Sequence, residues 1–201
     1  SGPGIISNEM IAEIVQAVAN QSVETFLLTS ETTVEGIYNH YQKAKTTTIQ
    51  LVDKIEKNGH ARLKKLLPDV KIVQVLHVLN EKTIDEAERL MHEVDALLLD
   101  SGNPNLKIKT LGGTGNTHNW EISKSIVRKS KIPVWLAGGL KPENIAEAIQ
   151  TVQPYGVDLC SGVRMNGNLN RDKLFSFFEK ALIFSERAGE KSRTIAASNE
   201  A

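Results

Sequence analysis

The chain has 201 residues, 40% of them hydrophobic and 24% charged, enough for one domain with a substantial core and too few for two comfortable ones. Its 24 basic and 24 acidic residues cancel, and no basic run or stripe of the kind that tracks nucleic acid is present, so nucleic acid is not an expected partner. No apolar run approaches the ~18 residues of a membrane span, the first residues lack a signal segment, and a single cysteine, Cys160, excludes an internal disulfide and a Cys-based zinc cluster.

The expectation is therefore a soluble, cytoplasmic protein with no membrane partner, no metal and no cofactor. In chain order, the opening "SGPGII" reads as a loop running into a helix. "NEMIAEIVQAVA" then places Met10, Ile11, Ile14 and Val18 at helical spacing. The runs "ETFLLTS" (24–30), "TTIQLVD" (47–53) and "KIVQVLHVLN" (71–80) read as strands. "TIDEAERLMHEV" is a predicted helix, with Thr83 and Glu86 at the spacing of a capping box.

"DALLLDS" (95–101) is a strand ending in an acid. It leads to a polar loop, "LGGTGNTHNW" (111–120), in which Gly112, Gly113 and Gly115 cluster. Glycines this close let a backbone approach a ligand, most often a phosphate. "IPVWLAGG" (132–139) is the next strand, followed by "KPENIAEAIQTV", which puts Pro142 in a first helical turn and Glu143 and Glu147 near its positive end. "GVDLCSG" (156–162) reads as the last strand. Residues 1–182 form one partial domain in this reading, and 183–201 a polar helix end and tail.

Most of the strand runs are apolar throughout, as strands covered on both faces of a parallel sheet are. Six of them alternating with helices specify an α/β parallel sheet. An open doubly wound sheet and a barrel both fit.

The ordered set "LLLDS", "GGTGNTHNW", "VWLAGGLKPENIAEAI" and "YGVDLCSGVRMNG" resembles the C-terminal half of the phosphoribosylanthranilate isomerase family of tryptophan biosynthesis. The order and spacing match over roughly residues 95 to 180, with weaker correspondence back to the start of the chain. A lone GGTG is weak; four motifs in order are not. The resemblance implies a (βα)8 TIM barrel, of which this chain covers about six βα units. The family's first strand, first helix and second strand lie before Ser1 or are absent, and an opening on Ser rather than Met suggests an incomplete sequence. An open barrel of this kind exposes two strand edges, so association into a homo-oligomer is expected.

The family's reaction is an Amadori rearrangement. It opens a phosphorylated aminoribose ring and moves a proton from C2 to give an enol that becomes a ketone. By resemblance, Asp100 is the acid that protonates the ring oxygen; burial against Leu98 and its neighbours helps a carboxyl keep a proton. Gly138 and Gly139, at the end of the seventh barrel strand, with Ser161 and Gly162, at the end of the eighth, match the phosphate site, where backbone N–H groups hold phosphate oxygens. Gly112, Gly113 and Gly115 fold over the substrate, and Asp158 meets its amine or ribose hydroxyls. Cys160, standing where the family has serine, lies beside Asp158.

Plainer roles stand next to these. Asp100 can cap the turn at Ser101 and Gly102, the glycines can serve tight turns, and Asp158 can be a core hydrogen-bonding group. Cys160 as a small buried residue is preferred to Cys160 as a base, since a neighbouring carboxylate disfavours its thiolate. Trp120 reads as core, His118 as a solvated loop residue, and His77 as facing either the barrel or the helices.

The departures are equally specific. The family's base is a cysteine at the end of its first strand, and no residue here inherits it. Its arginine is replaced by Gly or Pro in "SGPGII", its VQLHG histidine by Val52, with Asp53 next to it, and a usual Glu by Arg164. The leading expectation is thus an isomerase of the aldose–ketose type acting on a small phosphosugar. The alternative is a phosphosugar-binding barrel without the catalytic base.

Overall fold

The computed structural model describes residues 5–102 and 118–182. Six strands hydrogen-bond in chain order, β1 to β6, and helices alternate with them. The chain divides into two compact units, Ser1–Leu76 with Ala87–Leu98, and His77–Glu86 with Leu99–Ala201.

In the first unit, α1 (Asn8–Val18) starts where Ser7 Oγ accepts the Met10 N–H at 3.2 Å. None of its residues is buried, despite the apolar spacing. β1 (Phe26–Thr29) runs into α2 (Val34–Ala44), which Thr33 caps through Gly36 N–H and which ends at Lys45 in the left-handed region. Val34, Ile37 and Ala44 face the core.

β2 (Thr48–Leu51) is buried at every position, and β3 (Lys71–His77) at five of seven, the pattern of strands covered on both faces. α3 (Gly59–Leu66) joins them. The pairing is parallel, with Phe26 opposite Thr48 and Thr48 opposite Lys71. Asp95 N–H donates to Ile72 O at 2.9 Å while Ile72 N–H donates to Asp95 Oδ2 at 2.8 Å.

One polar network crosses the interior of this unit. Gln74 Nε2 donates to Leu51 O and Asp53 O, at 3.1 and 3.2 Å, which turns its Oε1 toward His60 Nε2 at 3.0 Å. The other ring nitrogen of His60 meets Glu93 Oε2 at 2.8 Å.

α4 (Lys82–Leu90) begins one residue before Thr83, and the side chain that caps it is Asn80, whose Oδ1 accepts the Lys82 N–H at 3.0 Å. The capping box expected at Thr83 and Glu86 is therefore replaced by an Asn turn. β4 (Ala96–Asp100) is buried throughout.

In the second unit, α5 (Trp120–Lys129) is capped by Asn119 and buries Ile122, Ser123 and Ile126. β5 (Val134–Leu136) pairs parallel with β6 (Gly156–Val157), Trp135 opposite Gly156. A Cβ on Gly156 would stand 2.6 Å from the Trp135 ring, so only glycine lets the indole lie on that backbone. α6 (Ile145–Val152) starts later than expected. Pro142 and Glu143 lie in the turn before it, because the Asn144 side chain ties that turn to Gly139.

The last strand also differs from its sequence run. The ladder stops at Val157, and Ser161–Val163 form a 3-10 turn. A short hairpin follows, β7 (Arg164–Met165) and β8 (Asn168–Leu169), closed by Asn166 and Gly167 at positive φ. Residues 171–182 are helical and bury Phe177.

Candidate active site

The strand ends of the second unit converge by main-chain register. Ala137 N–H donates to Leu99 O at 2.7 Å, and Asp158 N–H donates to Leu136 O at 2.9 Å. These bonds set the end of β5 between two carboxylates, Asp100 and Asp158, each just past or at the end of a parallel strand. One pocket is lined by Asp100, Gly138, Gly139, Asp158, Cys160 and Ser161 among others. Ligands of parallel α/β sheets collect at this carboxyl end.

The glycines are there for close approach. Gly138 has φ +84°, and a Cβ on it would meet Ser101 N and Oγ at 2.6 Å; Gly139 follows at φ +66°. A Cβ on Gly162 would stand 1.9 Å from Leu140 O, so the turn after β6 lies directly on the turn after β5. Asn144 holds the second turn in place, donating from Nδ2 to Gly139 O and accepting the Lys141 N–H at Oδ1, both at 2.9 Å. Among the described residues, the N–H groups of Gly139, Ser161 and Gly162 donate to no protein acceptor. Three N–H groups on two apposed turns, without an acceptor among the described residues, suit an anion.

The two carboxyls differ. Asp100 is buried, 8% exposed, and its Oδ1 accepts the Ser101 N–H at 2.7 Å. Asp158 has an exposed rim by surface area, yet much of the space around its carboxyl is protein. Desolvation, and then the negative charge of Asp100, push its carboxyl above the usual range, against a backbone hydrogen bond from Leu159.

Two residues depart from their expected surroundings. Cys160, expected as a small buried residue, is exposed at the pocket. The strand run that would have placed it on one face with Asp158 ends at Val157, so strand periodicity no longer positions it. His118, expected to be solvated, is largely enclosed, with Nε2 2.6 Å from Ser123 Oγ, and burial lowers its pKa from 6.5 to about 4. Its Nδ1 and Trp120 Nε1 are buried with no partner among the described residues.

Arg164 is exposed and donates to Gly167 O within the hairpin. Gly112, Gly113 and Gly115 lie outside the described residues. No group of three His, Cys, Asp or Glu side chains is placed to hold a metal among the described residues. No helix there is long and apolar enough to cross a membrane.

Sequence reasoning missed Asn144 and Ser101. Asn144 had a signal in Lys-Pro-Glu-Asn, a turn sequence whose Asn bonds back to the main chain. Ser101 had none, since its contact with Gly138 is made only by tertiary packing.

Comparison with known proteins places the chain. The profile of N-(5'phosphoribosyl)anthranilate (PRA) isomerase matches residues 1–180. N-(5'-phosphoribosyl)anthranilate isomerase 2 of Methanosarcina mazei is 35% identical over 160 residues, 79% of this chain and 70% of the relative. The solved phosphoribosyl anthranilate isomerase of Thermococcus kodakaraensis superposes with a TM-score of 0.72 at 27% identity, over 90% of this chain and 83% of that one. A further isomerase of the family was solved in complex with reduced 1-(o-carboxyphenylamino)-1-deoxyribulose 5-phosphate; it has a TM-score of 0.68 and 22% identity, over 88% and 79% of the two chains. The fold is the α/β fold of (βα)8 TIM barrels, and the chain belongs to the N-(5'-phosphoribosyl)anthranilate isomerase family.

Proposed function

We propose that this chain carries the acid and phosphate-binding part of an isomerase site for N-(5-phosphoribosyl)anthranilate, converting it to the carboxyphenylamino-deoxyribulose phosphate. The observation that supports this most is the meeting of two carboxyls with two glycine-bearing turns in one pocket. The phosphate rests on the N–H groups of Gly139, Ser161 and Gly162, with Gly138 providing the turn. Backbone donors suit a dianion without a basic side chain. The substrate's ribose and amine then lie between Asp100 and Asp158, with Cys160 at the rim.

Turnover of N-(5-phosphoribosyl)anthranilate by the purified chain tests the reading, alongside binding of reduced 1-(o-carboxyphenylamino)-1-deoxyribulose 5-phosphate by calorimetry. Saturable binding with turnover is expected. Binding without turnover would move the chain to the phosphosugar-binding alternative, which the replaced arginine and histidine positions favour. Absence of both would sink the assignment.

A further inference from the structure

We propose that Asn144 is a positioning residue for the phosphate: by holding the Gly139 carbonyl it turns the Leu140 N–H toward the ligand and keeps carbonyl oxygens away from it. This rests on the phosphate-binding part of the isomerase reading, and names the side chain that makes a glycine turn fit for an anion.

Asn144 stands at the N-cap of α6, yet its side chain makes no capping bond to that helix. An Asn in this place ordinarily accepts an N–H from the first turn that follows. Here the amide faces backward, and both of its ends meet the turn after β5. Its Nδ2 donates to Gly139 O and its Oδ1 accepts the Lys141 N–H, each at 2.9 Å. A carbonyl only accepts and a main-chain N–H only donates, so the amide fits in one orientation.

The tie acts one bond further on. The peptide between Gly139 and Leu140 is trans and planar, so its N–H points opposite to its C=O. Gly138, Gly139 and Leu140 line the pocket, and Asn144 does not. A carbonyl drawn toward Asn144 thus leaves the N–H of the same peptide facing the pocket side of the turn. The next carbonyl, Leu140 O, lies against Gly162, where a Cβ would stand 1.9 Å from it. Two consecutive carbonyls of this turn are engaged elsewhere, and neither opposes a negative ligand.

The glycines make such a tie necessary. Gly138 and Gly139 both have positive φ, +84° and +66°, and without a Cβ their peptide planes rotate at little cost. A rotated Gly139–Leu140 peptide would present its oxygen to the phosphate in place of its N–H. Asn144 removes that freedom before the ligand arrives, which is how preorganisation strengthens binding. Main-chain dipoles meet the charge of the ligand, so their direction decides affinity.

The test begins with the parent chain labelled with nitrogen-15 and titrated with inorganic phosphate. The Leu140 amide proton should move downfield together with those of Gly139, Ser161 and Gly162. Asn144→Asp is the discriminating variant. It keeps an oxygen for the Lys141 N–H and places an acid at a helix start, so its thermal melt should match the parent. It loses the amide donor and sets an anion against the Gly139 carbonyl. Inorganic phosphate and the reduced analogue should each bind it about tenfold more weakly or worse, the size of one lost charge-assisted hydrogen bond. A residue that merely holds the turn would be replaced by Asp without loss of affinity.

An Asn144→Asp variant that binds phosphate within about threefold of the parent overturns the proposal. So does a Leu140 amide left unmoved while those of Gly139 and Ser161 shift, a result that needs no variant. With either outcome, binding of the reduced analogue to the parent leaves the isomerase reading standing. A parent that binds phosphate but not the analogue, with the Leu140 shift present, upholds the tie and fails the isomerase reading. A parent that binds neither fails both.

Discussion

His60 in the first unit and Asp158 in the second are both titratable groups enclosed beside parallel strands, and their surroundings differ in kind. Both nitrogens of His60 meet acceptors, Gln74 Oε1 and Glu93 Oε2, and Gln74 in turn meets two backbone carbonyls. That set is closed on itself, which is how a buried polar network adds rigidity. Around Asp158 the neighbours are a second carboxyl and glycine turns whose N–H groups at Gly139, Ser161 and Gly162 meet no acceptor among the described residues. Ser101 Oγ nearby is buried without a partner among the described residues. Polar groups that satisfy one another hold a fold; polar groups gathered and left unsatisfied await a ligand.

The contrast can be broken from either side. The largest effect is expected at Gly162→Ala. Its Cβ meets a backbone carbonyl that cannot swing away, so denaturant melts should show a loss of about 3 kcal/mol or more, and binding of the reduced analogue should disappear. A variant that melts and binds like the parent would mean the two turns are not held together as described.

Next is acid sensitivity carried by His118. Its folded pKa, about 4, lies below the 6.5 of the unfolded chain, so the unfolded state binds more protons between these values. Stability should therefore fall as pH drops from about 6.5 to about 4 and level off below, by about 3 kcal/mol in all for a shift of that size. Comparing midpoint denaturant concentrations of parent and His118→Gln across this range tests the sign. An unchanged slope in the variant would assign the acid sensitivity to other groups.

Gln74→Leu should cost about 2 kcal/mol, because it removes the hydrogen bonds of this side chain to His60 and to the backbone carbonyls of Leu51, Asp53 and Val75. Binding of the reduced analogue should stay within about threefold of parent once the protein is folded, an affinity shift under ~1 kcal/mol. Loss of binding without loss of stability would erase the distinction between the two networks. The smallest effect is Ser7→Ala. Removing an N-cap costs about 1 kcal/mol, and since α1 buries none of its residues, hydrogen exchange should report faster opening of 8–18 with little change in the global melt.

What could be read from the sequence follows from what each signal depends on. β2, β3 and β4 were legible because strands covered on both faces need continuous apolar runs, and these have them. β6 was misjudged at its end. Its run stays apolar in part through Leu159, but the ladder stops where the three-residue β5 stops. Pairing length belongs to the partner strand, which a single run does not encode.

Asp100, Asp158 and the four residues proposed for phosphate were singled out through motifs, and five of the six line one pocket, with Gly162 packed beside it. The contact of Ser101 with Gly138 was not legible. It is made only when two strand ends approach. His118 was misread for a similar reason, since its partner Ser123 reaches it only once α5 has formed. Cys160 shows the limit of arguments from residue type, as small size says nothing about which way a turn leaves it.

The exposure of Cys160 has a practical side. The sequence contains one cysteine, and its thiol stands open at the rim of the pocket. A maleimide dye therefore attaches once per molecule, beside the turns proposed to hold the anion and away from the core. Quenching or shift of that dye on adding ligand reads occupancy directly, and the rate of labelling measured with and without ligand gives a footprint of the site that needs no catalytic turnover.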